Sequence, residues 1–199
     1  MIELRGYWMI RNPLAKILRR ISKLNYELRS HFRRFIIQLR YPSCKIGRGV
    51  KIGRNVQFLV TDGASVHIGD GTCIKDNCVI IAKYGILTIG TNSFIGWGTI
   101  ICSNEEVRIG KDCLIGEFVT IRDQNHGAKL IDSPFREQPM HTGPIEISDN
   151  VWIGAKSTVL AGSSIATDSI VAAHGVVNST FESGVIIGGI PAAVIKPLS

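Results

Sequence analysis

The sequence predicts an all-β fold, a single-stranded parallel β-helix of triangular section, with one amphipathic α-helix ahead of it. Three observations predict this. From Ile46 onward an aliphatic residue returns every six positions. Glycine follows it in Ile46-Gly47, Ile52-Gly53, Ile68-Gly69, Ile89-Gly90, Ile95-Gly96, Ile109-Gly110, Ile115-Gly116 and Ile153-Gly154. Ahead of Ile46 the apolar spacing is instead three, four and seven, on a strongly basic background.

The basic segment, residues 1–41, comes first. It holds ten Lys and Arg against Glu3 and Glu27, a net charge of +8, whereas residues 42–199 sum to −1. Leu14, Ile17, Leu18, Ile21, Leu24, Leu28, Phe32, Phe35, Ile36 and Leu39 trace one face of a helix over 14–39, bounded by Pro13 and Pro42. Such a helix suits three settings: an anionic membrane, the body of the protein or its oligomer mates, or an acidic polysaccharide acceptor. The body lacks the basic, aromatic-studded surface that a nucleic acid requires. Arg5 and Arg11 interrupt the early apolar residues and no apolar run reaches about 18 residues, so neither a secretory signal nor a membrane span is expected. The expected location is the cytoplasm, with peripheral contact at the inner face of the membrane if the helix takes the first setting.

The body, residues 42–199, follows the six-residue period, which fits neither a helix nor a plain strand. A short strand points one large aliphatic residue inward, a two-residue corner follows, and three sides close a coil. Stacked coils pair strand on strand and bury one aliphatic column per side. Two places before each large residue the chain again points inward, close to a corner where only small side chains fit: Val50, Val56, Thr72, Cys78, Ser93, Thr99, Cys113, Val119, Val151, Ser157, Ser169 and Gly175. Cys78 and Cys113 are therefore small core residues. Five cysteines with no CxxC pair point to neither a disulfide framework nor a zinc site.

Coils are expected to start at Ile46, Ile68, Ile89, Ile109, Ile147, Ile165 and Ile187. The interval from Ile109 to Ile147 is about one coil too long, which places an extruded loop at about 123–143. A long loop in a strict repeat is usually functional. Outward-pointing residues differ by side. Cys73, Phe94, Leu114, Trp152 and Ile170 form an apolar ladder, and Lys45, His67, Thr88, Arg108, Glu146 and Ser164 a polar one. A stacked apolar ladder predicts a subunit contact or a ligand groove, and suits a symmetric trimer.

From Cys44 to Lys196 the chain resembles the hexapeptide-repeat acyltransferases, most closely the galactoside, maltose and polysaccharide O-acetyltransferases. The resemblance rests on the repeats, on Asp123-Gln124-Asn125-His126-Gly127, on Asn150-Val151-Trp152-Ile153-Gly154 and on Gly189-Ile190-Pro191-Ala192. It implies a left-handed helix, a homotrimer with active sites between subunits, acetyl-CoA as donor substrate with no metal, and a sugar hydroxyl as acceptor. It also implies His126 as general base in a direct attack without an acyl-enzyme, and the backbone N–H of Ala155 from a neighbouring subunit as oxyanion donor. Trp152, Ala155, Ala173, Asn178 and Lys196 then line the coenzyme site. Ala193 stands where the family often has Lys or Arg. Ser103, Asn104 and Asp123 fall where an acceptor would bind, although Asp123 equally suits a turn cap. His174 either touches the coenzyme or is merely exposed.

An amine acceptor, on an amino sugar or a drug, is the enzymatic alternative. A non-catalytic β-helix scaffold is the alternative of another class. A carbonic anhydrase on this fold would need a histidine five residues from His126, where Ile121 and Ile131 stand.

Overall fold

The computed structural model describes residues 13–61, 63–130 and 132–198. Arg5, Arg11 and Ile131 lie outside the described residues.

The helix runs from Pro13 to Arg40, one residue beyond the predicted span at each end. The body is a left-handed parallel β-helix whose three sides are three parallel sheets. The first sheet stacks seven strands from Cys44–Ile46 to Thr180–Phe181. The second begins at Lys51–Ile52 and the third at Gln57–Val60. The registers join the predicted columns: Ile46 lies beside Ile68, Ile95 beside Ile115, and Ile101 beside Ile121. These aliphatic residues fill one continuous core, each buried side chain contributing about 1.5–3 kcal/mol.

The inner column of small residues does more than fill space. At several corners a carbonyl faces the coil below, and a small side chain there supplies a donor. Thr72 Oγ1 donates to Gly90 O (2.8 Å), Ser93 Oγ to Gly110 O (2.8 Å) and Thr99 Oγ1 to Gly116 O (2.9 Å). Cys78 Sγ and Cys113 Sγ lie 3.0 and 3.1 Å from Gly96 O and Ser148 O. Burial pushes the Cys78 thiol up to about 11 and also raises that of Cys113, as suits core residues. The glycine after each aliphatic is required by the close approach of the next coil. A Cβ at Gly154 would stand 2.5 Å from Ala173 N.

One expected boundary moves. The last coil begins at Phe181, which lies beside Ile165 in the first sheet, and Ile187 sits beside Val171 in the second. The corner between the third and first sides is two residues shorter there, so the six-residue phase breaks and an aromatic residue takes the aliphatic place. Beyond it the strand Val185–Gly189 pairs antiparallel with Ala192–Pro197, which covers the last strand of the second sheet.

The other end is closed by the helix, through its polar side. Strands at the end of a sheet carry unpaired backbone groups, and here helix side chains meet them. Ile52 N–H donates to Ser30 Oγ (2.7 Å), Arg33 donates to Ile52 O (2.6 Å) and Arg34 to Gly47 O (3.0 Å). Tyr41 Oη donates to Phe58 O (2.9 Å), and Ile37 packs against the core. Of the three settings open to the helix, packing on the body is realised over its C-terminal half.

Candidate active site

The insertion leaves the edge between the third and first sheets. It is not an irregular loop. Gln124–His126 pairs antiparallel with Met140–Thr142, setting Asn125 opposite His141 and His126 opposite Met140. Gln138, 5% exposed, ties the arm together. Its Oε1 accepts the Lys129 N–H (3.0 Å), and its Nε2 donates to Lys129 O (3.0 Å) and Ser133 O (3.1 Å). Gly127 N–H donates to Pro139 O (3.0 Å). The arm thus presents His126, which is exposed, from an ordered hairpin.

Below it the chain makes a sharp corner after Ser103. Asp123, with no exposed surface, fills that corner. Its carboxylate accepts the N–H of Asn104 (2.8 Å), Glu105 (2.8 Å) and Glu106 (3.0 Å). Successive N–H groups at a turn make an anion-binding concavity, and here the anion is the protein's own. Ser103 is equally buried, and its Oγ donates to Ile86 O (2.9 Å). Ser103 and Asp123, expected to bind the acceptor, are both buried, and they fix the corner that carries Asn104. The half-buried Asn104 stacks under Gln124, and the buried side-chain oxygens Asn104 Oδ1 and Gln124 Oε1 have no hydrogen-bond partner among the described residues. Unpaired buried amide oxygens are costly. Gln124 is missing from the predicted site; its signal was the register of Ile101 with Ile121, which stacks it on Asn104.

A different edge carries the other predicted residues. In the second sheet Cys73, Phe94, Leu114, Trp152, Ile170 and Ile186 stand in one outward column. Trp152 and Leu114 are 51% and 52% exposed. Lys196 lies opposite Ile186 and extends this ladder. At the corner after the second sheet, Ala155 and Ala173 stack, and Ala155 O accepts the His174 N–H (3.0 Å). On the same corner of the first coil, Arg54 N–H is satisfied by Asp76 Oδ1 (2.8 Å). At 155 the corresponding residue above is Ala173, and no acceptor among the described residues meets the Ala155 N–H. Gly116 keeps the space beneath clear, since a Cβ there would lie 2.7 Å from Ala155 N. His174 is exposed, with φ 60°. Asn178 departs from the predicted grouping. It follows Val177 of the third sheet and so stands on the edge that carries the arm.

No family model matches the chain. A Saccharomyces cerevisiae protein named as an acetyltransferase is 31% identical over 135 residues, covering 65% of this chain and 67% of that one. The chain belongs to the hexapeptide-repeat acetyltransferases. An Escherichia coli protein named for O-acetyl transfer in lipopolysaccharide biosynthesis is 31% identical over 119 residues, 56% of this chain and 61% of that one. The hexapeptide-repeat acetyltransferase VCA0836 of Vibrio cholerae, solved with acetyl coenzyme A, shares the fold with a TM-score of 0.58 and 24% identity, over 95% of this chain and 91% of that one. The chain spans between 49% and 61% of the length of several curated relatives it matches.

One chain does not bring the predicted site together. His126, Asn104 and Asn178 lie on one edge of the prism, and Trp152, Ala155 and Ala173 on another. Cavities of about 490 and 460 Å³ flank the helix, and neither is lined by His126 or Trp152.

Proposed function

We propose that this protein is an acetyl-CoA-dependent O-acetyltransferase acting on a sugar hydroxyl of a surface polysaccharide or lipopolysaccharide precursor, as a homotrimer. One observation carries the reading. The single long insertion in the repeat projects an exposed histidine beside a corner with unpaired amide oxygens, in a chain whose family transfers acetyl groups. The apolar ladder on the second sheet supports side-by-side packing of prisms, which would set the Ala155 edge of one subunit against the His126 edge of the next.

In that cleft His126 removes the acceptor hydroxyl proton as the oxygen attacks the thioester carbonyl. The carbonyl oxygen gains negative charge and takes a hydrogen bond from the Ala155 N–H of the neighbouring subunit. Collapse breaks the carbon–sulfur bond, and the proton held by His126 passes to the departing thiolate. Asn104 and Gln124 turn their amides to the sugar hydroxyls. Trp152 and Ala173 flank the pantetheine arm, Asn178 contributes from the opposite edge, and Lys196 meets a coenzyme phosphate as a point charge.

The test is a screen of saccharides and amino sugars with labelled acetyl-CoA, comparing wild type with His126→Ala. Transfer to a hydroxyl with a loss of about 10²–10⁴-fold in kcat in the variant is expected. Because His126 is exposed and makes no core contact, its melting temperature should be unchanged. Labelled product on amines alone would replace the acceptor assigned here. Wild-type turnover in the variant would remove His126 from the mechanism, and absence of coenzyme binding would favour a scaffold.

A further inference from the structure

The helix presents a face that the proposed chemistry does not use. Leu18, Ile21, Leu24, Leu28, Phe32 and Phe35 are all between 49% and 65% exposed. At about 100° per residue this stripe is centred opposite Ser30, Arg33 and Ile37, the residues that meet the first coil. The amphipathic helix therefore packs with its polar side and turns its apolar side away from the body. Residues 13–40 also carry eight Lys and Arg and one acid, Glu27. Arg29 and Arg40 border one margin of the stripe and Arg20 the other.

A second copy of the helix is disfavoured as the occupant by charge. The helix lies over the first coil and along the corner that carries Arg54, Lys75, Asp76 and Trp97, and the stripe stays exposed there. Pairing end to end through two copies of the helix would bring eight cations against eight. No helix among the described residues is long and apolar enough to cross a membrane, which leaves a helix lying on a surface. We propose that the outer face of the helix docks this protein on an anionic lipid bilayer, with the apolar stripe in the acyl boundary and the flanking arginines among the phosphates. The proposal stands apart from the acyl-transfer reading, since none of these residues belongs to the site.

Deleting the helix would bare the first coil, so the test keeps it and alters only exposed positions. Full-length protein is sedimented with vesicles of phosphatidylcholine, with and without phosphatidylglycerol. Wild type should partition onto the anionic vesicles about tenfold more than onto the neutral ones, and lose this preference in high salt. Leu18→Ser/Leu24→Ser/Leu28→Ser should lower anionic partitioning by about tenfold or more, with solution mass and melting temperature unchanged. Should that variant fold poorly, Arg20→Glu/Arg29→Glu, which leaves the stripe intact, should likewise abolish the anionic preference. Wild type that stays in the supernatant, variants that bind like wild type, or a serine variant of smaller assembly size would each overturn the proposal, the last by showing that another copy covers the stripe.

Discussion

Asp123 shows how a buried carboxylate can hold a corner of the coil together. Three backbone N–H groups converge on its carboxylate in a corner sealed from water. Replacing it by Ala leaves those donors unpaired, at a cost of about 1–3 kcal/mol each where they stay buried. Asp123→Ala is therefore expected to lower stability by about 3 kcal/mol and to slow transfer by displacing Asn104. Asp123→Asn keeps one oxygen and should lose about half as much stability. Urea denaturation of both variants checks the order, and equal stability of Asp123→Ala and wild type would contradict the capping role. From sequence the choice between cap and acceptor ligand stayed open, because an aspartate at a corner suits either. Its burial and its three backbone partners are those of a cap, and that burial depends on the corner one coil away.

The elements differ in how plainly they were written. The three sheets were legible because an inward aliphatic residue every sixth position has no other economical packing. The last coil was not, because Val177 and Phe181 stand four apart and the period gives no warning of a shortened corner. The arm was hidden for another reason. Gln124–His126 and Met140–Thr142 are polar apart from Met140 and almost wholly exposed, so they lack the alternation that marks a half-buried strand. The helix was legible in extent and misleading in orientation. Amphipathic helices usually bury the apolar stripe, whereas this one docks through Ser30, Arg33 and Arg34, whose polar groups satisfy the open edges of the first coil. This makes the helix a structural end cap. Removing residues 1–41 should expose the end strands of all three sheets and yield protein that associates end to end. Light scattering of the truncated chain checks this; a truncated form with the same mass and solubility as the full chain would show that the edges need no cover.

For the whole molecule, the proposed base His126 and the proposed oxyanion donor Ala155 occupy different edges of one prism. Under the proposed mechanism a chain acting alone would not apply both to one thioester, so the proposal ties function to assembly. The trimer proposed above makes a quantitative demand. Ala155 precedes Lys156, whose φ is 60°, the arrangement of a turn that accepts proline at its first central position. Ala155→Pro should thus remove the N–H with little disturbance of the corner, and on its own should cut kcat by about 10²–10³-fold. His126→Ala and Ala155→Pro each damage every site of their own trimers. Co-expressed in equal amounts, they form mixed assemblies in which about one site in four combines an intact His126 with an intact Ala155 from its neighbour. Recovery of about a quarter of wild-type turnover is expected, well above either parent. If both groups came from a single chain, the mixture would show no more activity than the parents averaged, and the shared site would have to be abandoned.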